Sequence, residues 1–116
     1  MKIRIQGDSV RFRLSRTEVT ELVNQGETWS KCEFHTGELI YGLVTSEDKS
    51  MTCIFDNGKI TAKIPRLLLH SWDSDDRVGF DATADGLFIL VEKDWQCLKP
   101  RVNEDETNLF INPQSL

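Results

Sequence analysis

Apolar and polar residues alternate along most of this chain in short runs, the two-residue period of half-buried strands. Lys2–Ile5 and Ser9–Leu14 set Ile3, Ile5, Val10, Phe12 and Leu14 on one face and Lys2, Arg4, Arg11 and Arg13 on the other, around a Gln6-Gly7-Asp8 turn. Pairing the two strands gathers those four cations on one exposed surface. The period then changes. Ser15-Arg16-Thr17-Glu18 is a capping box, and Val19, Leu22 and Val23 follow at helical spacing, with Gly26 as the stop.

Thr28–His35 reads as a strand with Trp29, Lys31, Glu33 and His35 facing one way and Ser30, Cys32 and Phe34 the other. Thr36-Gly37 turns it into a second strand, Glu38–Ser46. Ser50–Asp56 and Lys59–Ile64 flank Asn57-Gly58, a dipeptide whose positive φ angles suit a tight hairpin. Pro65 fits a first helical position, where its missing N–H is not needed, and the helix it opens is expected to bury Leu68, Leu69 and Trp72 before Asp73-Ser74-Asp75-Asp76 ends it. Val78–Thr83 and Leu87–Lys93 form a last hairpin around Asp85-Gly86. The run Leu87-Phe88-Ile89-Leu90-Val91 lacks alternation, as a strand covered on both faces does.

Displacing the chain by fifty residues exposes a repeat: Ile5 falls on Phe55, Val10 on Ile60, Phe12 on Ala62, Leu14 on Ile64, Ser15 on Pro65, Val19 on Leu69 and Leu22 on Trp72. The unit is β-β-α-β-β, present twice, over about 2–45 and 52–93. A unit of that size has one apolar sheet face it cannot cover alone, so two copies sharing an interior is the economical arrangement. The expected fold is a single α+β domain over 1–116, mostly antiparallel, two units related by a pseudo-two-fold in a barrel-like or sandwich-like arrangement, with a tail over 95–116.

Two resemblances bear on this. Lys59-Ile60-Thr61-Ala62-Lys63-Ile64-Pro65, a short helix, then Asp75-Asp76-Arg77-Val78-Gly79-Phe80 resembles the AbrB-type swapped-hairpin barrel over residues 55–93. That resemblance implies interlocked units that bind DNA through basic residues, yet this half offers only Lys59, Lys63, Arg66 and Arg77. Across nearly the whole chain, Met1-Lys2-Ile3-Arg4-Ile5, Gly7, Ser9, Arg11, Arg13-Leu14, Glu18-Val19, Ile64-Pro65-Arg66, Val78-Gly79, Val91-Glu92-Lys93-Asp94, Cys97-Leu98 and Pro100-Arg101 are similar to a family of small bacterial proteins, common in Bacteroidetes, known as a domain of unknown function. It implies a complete protein and supplies no catalytic residues.

At 116 residues and 39% hydrophobic, the chain can bury a core without metal or disulfides. It has no apolar run long enough for a bilayer and no secretory signal, so a cytoplasmic location is expected and no membrane partner. Cys32, Cys53 and Cys97 are an odd set without repeating spacing and read as free thiols. The net charge of −5 hides an asymmetry, because Lys2, Arg4, Arg11, Arg13 and Arg16 against Asp8 give residues 1–16 a charge of +4.

Candidate chemistry is sparse. Cys32 and His35 fall on opposite faces of a strand, so a metal would need Cys53 or His70 from elsewhere. Asp73, Asp75 and Asp76 lack the glycine and distant glutamate of an EF-hand. A nucleophile pair of His70 with Cys53 or Cys97 requires contact that sequence does not show. Phosphate loops, a serine nucleophile elbow and HExxH are all missing from the sequence, and no cofactor, metal site or catalytic residue is expected.

In the tail, Glu104-Asp105-Glu106 precedes Leu109-Phe110-Ile111, and three courses are open: the tail folds back with Phe110 docking in the core, lies across the basic face, or is a flexible terminus. The basic face, Lys2, Arg4, Arg11, Arg13 and Arg16, is the candidate binding surface, its arginines suited to carboxylate or phosphate. Self-pairing with Glu33, Glu38, Asp81 or Glu104–Glu106 explains the same pattern and is favoured. The expected function is a non-enzymatic binding or protein-interaction module whose partner is a protein or anionic ligand. The alternatives are a DNA-binding regulator of the swapped-hairpin type, which is not favoured, and a small metal- or thiol-dependent enzyme. The oligomeric state is open, a homodimer included.

Overall fold

Turn chemistry and alternation produce ten elements in the computed structural model, which describes residues 1–95 and 108–111. They are β1 (Lys2–Gln6), β2 (Ser9–Leu14), α1 (Arg16–Gln25), β3 (Glu27–Phe34), β4 (Gly37–Ser46), β5 (Thr52–Asp56), β6 (Lys59–Pro65), α2 (Arg66–Leu69), β7 (Gly79–Ala84) and β8 (Leu87–Lys93). The order β-β-α-β-β occurs twice. One sheet runs β1-β2-β8-β7 and the other β3-β4-β6-β5, so each takes the first hairpin of one half and the second hairpin of the other. The fold is α+β and sandwich-like, with open sheets.

The register repeats as well as the order. Lys2 faces Arg13 and Thr52 faces Lys63, the same pairing fifty residues on. Where the halves meet, β2 runs parallel to β8 and β4 parallel to β6, with Leu14 beside Lys93 and Ile64 beside Thr45. The sheets are therefore mixed; antiparallel pairing holds within hairpins, and the join between halves is parallel. Val10, Phe12 and Leu14 of one sheet and Ile60, Ala62 and Ile64 of the other fill the interior with Leu43, Ile89 and Val91.

Helix α1 forms as its sequence dictates. The Ser15 hydroxyl accepts from Glu18 N at 3.4 Å, the Ser15 N–H donates to Glu18 Oε1 at 2.9 Å, and Gly26 at φ 86° closes the last turn on Leu22 O. Its counterpart departs from expectation. Pro65 ends β6 and α2 is a single turn of four residues with no side-chain cap, after which Ser71 takes φ 62°. Leu69 and Trp72 are buried as expected, but Leu68 is exposed and Leu67 is 90% exposed. Trp72 is held instead by its indole N–H, which donates to Arg77 O at 2.9 Å.

Strand β8 is also corrected. Ile89, Val91 and Lys93 are buried while Phe88 is exposed and Leu90 half-buried, because a sheet in a two-layer sandwich has only one inner face. On the outer face of the second sheet the Trp29 ring lies over the backbone of Gly42, where a Cβ would stand 2.3 Å from Trp29 Cε3. The Lys59 ammonium sits 4.3 Å from that ring's centroid.

The chain end folds back. Arg16 N donates to Asn108 O at 3.1 Å and Phe110 N to Asp94 O at 3.0 Å, burying Leu109 and setting the Phe110 ring against Trp95. Cys97 and the acidic run Glu104–Glu106 lie outside the described residues.

Candidate functional site

The β1–β2 hairpin puts Lys2 directly across from Arg13 and Arg4 directly across from Arg11, on the outer face and at an edge of its sheet. Lys2, Arg4, Arg11 and Arg13 line a depression of about 190 Å³. Arg16 is not part of it; as the first residue of α1 it lines a separate cavity with Thr17, Thr20 and Asn108. The structure thus brings together four of the five cations singled out in the sequence.

Among the described residues two of them pair with acids other than those expected. Arg13 Nε meets Glu92 Oε1 at 2.8 Å and Lys2 Nζ meets Asp94 Oδ2 at 2.9 Å. Glu33 and Glu38 turn instead to Lys31 on the other sheet, at 2.8 and 3.8 Å. Asp81 shares the row of Arg4 and Arg11, but Leu90 lies between, which leaves two strand spacings of about 4.8 Å each to cross. Among the described residues Arg4 and Arg11 make no ion pair; Arg4 reaches only Gln6 Oε1, at 3.5 Å. Self-pairing therefore neutralises one cross-strand pair and leaves the next.

The duplication supplies an internal comparison. The positions equivalent to Lys2, Arg4, Arg11 and Arg13 are Thr52, Ile54, Thr61 and Lys63, in the same register. This face therefore folds with one cation as well as with four.

A second surface was not visible in the sequence. An apolar cleft of about 340 Å³ opens between the sheets at the hairpin-turn end. Its walls are matched pairs from the two halves: Ile5 with Phe55, Val10 with Ile60, Leu39 with Leu87. Ile5 and Phe55 are 61% and 70% exposed. The repeat already aligned Ile5 with Phe55 and Val10 with Ile60; only the parallel joins bring in Leu39 and Leu87.

Among the described residues the thiols and imidazoles do not converge. Cys53 lines the cleft, where burial pushes its thiol up to about 11, the opposite of what an activated nucleophile needs. Cys32 is exposed on β3 and His35 lies in the turn after it. His70 borders a different cavity, with Arg66, Ser71 and the end of α1. Among the described residues no group of three or more His, Cys, Asp or Glu could hold a metal ion. Asp75 faces inward to the protein, its carboxylate bound by the Arg77 N–H at 3.1 Å and guanidinium at 2.7 Å.

Residues 1–114 match one family from end to end. The chain belongs to the family of unknown function DUF7009. No curated protein and no solved structure matches it. The site of this DUF7009 chain is therefore read from its own geometry, which offers two surfaces of opposite character: a basic ledge on one sheet and an apolar cleft between the two. No helix among its described residues is long and apolar enough to cross a membrane.

Proposed function

We propose that this protein is a non-enzymatic interaction module of the cytoplasm that receives a carboxylate-rich segment of a partner protein on its basic ledge, Arg4 and Arg11 making the contact and Lys2 and Arg13 flanking it. The observation that carries this reading is the Arg4–Arg11 cross-strand pair, which makes no ion pair among the described residues and stands where the duplicate half has Ile54 and Thr61. Like charges directly opposite on a sheet destabilise it, so the fold gains nothing from the pair. Two guanidiniums at cross-strand spacing do suit carboxylates, which they can bind in bidentate fashion.

The test is a titration of fluorescein-labelled hexaglutamate into the protein at low salt, followed by anisotropy. Wild type binds with an affinity that falls as salt rises, and Arg4→Gln/Arg11→Gln weakens it by about tenfold or more, as loss of charge-assisted bonds requires. Absence of binding would sink the reading. A DNA duplex retarded in a mobility-shift assay more tightly than the peptide binds would transfer this face to nucleic acid, with the steep salt slope of phosphate neutralisation.

A further inference from the structure

We infer, building on the ledge reading, that the segment received by the ledge carries one apolar side chain and then one cation beyond its carboxylates, and that Leu90 and Asp81 select them. The geometry is a single row of the first sheet. Arg4 on β1 pairs with Arg11 on β2, Arg11 with Leu90 on β8, and Leu90 with Asp81 on β7, so the four stand side by side on the outer face. Asp81 is exposed and, like Arg4 and Arg11, makes no ion pair among the described residues. Leu90 is half-buried, and Phe88, two residues along on the same face of β8, is 38% exposed. The neighbouring row is already closed, Arg13 holding Glu92 at 2.8 Å. Strands about 4.8 Å apart put Leu90 about 7 Å from the midpoint of the two arginines and Asp81 about 5 Å further on. Alternate residues of an extended segment are about 6.7 Å apart, so Glu-x-Phe-x-Lys laid across the strands meets all three positions within the reach of its side chains.

The duplicate half shows that the fold does not require such a row. Its equivalent in the other sheet is Ile54, Thr61, Gly42 and Trp29, and there the Trp29 ring covers the backbone of Gly42 from within the chain. In the first sheet an aspartate stands in the place of that tryptophan and a leucine in the place of the glycine, which sets apolar surface between charges of opposite sign. Charge order then identifies the occupant: negative over the arginines, apolar over Leu90, positive over Asp81. A second copy of this chain fits less well. It offers Asp81 as one carboxylate for two guanidiniums, since Glu92 is held by Arg13. The face itself, four strands of five to seven residues, measures about 14 by 20 Å, well under the roughly 800 Å² per partner of a stable dimer.

The experiment titrates fluorescein-labelled Glu-Glu-Ser-Phe-Ser-Lys onto the full chain, followed by anisotropy, at physiological salt where long-range attraction is screened. Beside it run three peptides: one with Gly for Phe, one with Glu for Lys, and the same six residues reordered as Phe-Ser-Glu-Glu-Ser-Lys. The parent peptide binds, and the Gly and reordered peptides bind about tenfold more weakly. Asp81→Lys, at an exposed position of an edge strand, moves the preference between the Lys and Glu peptides about fivefold toward Glu, a change that loss of folding does not produce. Leu90→Thr/Phe88→Thr removes the advantage of Phe over Gly. Equal binding of the parent and Gly peptides, or a Lys-against-Glu preference unmoved by Asp81→Lys, would overturn the inference while hexaglutamate binding keeps the ledge reading. If neither the parent peptide nor hexaglutamate binds, both fall. Sedimentation showing a dimer that Asp81→Lys dissociates would give the row to a second copy and overturn the inference as well.

Discussion

Cys32 on β3 and Cys53 on β5 occupy the two edge strands of one sheet and differ in their surroundings. Cys53 is set into the cleft wall, where burial pushes its thiol to about 11, while Cys32 is exposed near the tip of the β3–β4 hairpin. With a value near 11, about one Cys53 thiol in a thousand is ionised at pH 8, and only the thiolate reacts. Iodoacetamide at pH 8 should label Cys32 first. The Cys53 rate should climb about tenfold per pH unit until pH nears the thiol's own value, as peptide mapping by mass spectrometry would report. Equal labelling of the two at pH 8 would contradict the placement. Strand alternation in the sequence places Cys32 on a face with Ser30 and Phe34, but the difference between the two thiols depends on what packs beside each, which local sequence does not carry.

At the scale of elements, the junction of β8 with the tail turns on Lys93. Its side chain is buried; its ammonium donates to Asp75 O at 2.6 Å and lies 4.8 Å from the Phe110 ring, 5.7 Å from Trp72 and 5.8 Å from Trp95. The clasp thus joins the last strand, the loop after α2 and the returning chain end. Burial lowers the Lys93 pKa from the usual 10.5; the Arg77 charge works the same way, and Asp75, Asp76 and Asp73 oppose it without cancelling it. Below the folded value both states hold the proton. Between that value and 10.5 the unfolded chain binds it more, so this group's contribution to stability rises with pH there. Cys53 and Tyr41, both raised by burial, act in the opposite sense at high pH. The measurement is therefore the difference in urea unfolding free energy between wild type and Lys93→Met, which should shift in favour of wild type as pH approaches 10.5. A difference independent of pH would mean that Lys93 is not buried as a cation. The sequence showed α1 correctly because Ser15, Glu18 and Gly26 act within a few residues; it overestimated α2 because Pro65 starts a turn that no cap sustains. Folding back through Phe110 was one of the courses the sequence left open for the tail, but Lys93 as the group that receives it looks in sequence like any polar strand residue.

For the whole molecule, the consequence of exchanging hairpins is mutual dependence. Neither half owns a complete sheet, since β1–β2 needs β8 and β5–β6 needs β4. Fragments 1–49 and 50–116 are each expected to lack a cooperative thermal transition as monomers, and an equimolar mixture to regain strand signal in far-UV circular dichroism. A monomeric 1–49 that melts cooperatively would show that one half is self-sufficient. The same exchange explains where the charges fall. Glu92 and Asp94, from the end of the second half, reach Arg13 and Lys2 of the first, while the acids nearer in sequence to the ledge stay on other faces. Among the described residues the favoured self-pairing holds for Lys2 and Arg13, with Asp94 and Glu92 as the carboxylates, while Glu104–Glu106 lie outside the described residues.

Taken alone, the sequence determined the element order, most strand limits, the α1 caps, the repeat and which side of β1–β2 carries the cations, because periods of two and 3.6, turn dipeptides and caps operate over a few neighbouring residues. The tertiary structure decided the parallel joins β2–β8 and β4–β6, and with them the cleft walls, the pairing of Lys2 and Arg13 and the isolation of Arg4 and Arg11. Those outcomes rest on contacts between segments that lie far apart in the chain. A strand's alternation says which face is buried and is silent on which other strand it will lie beside.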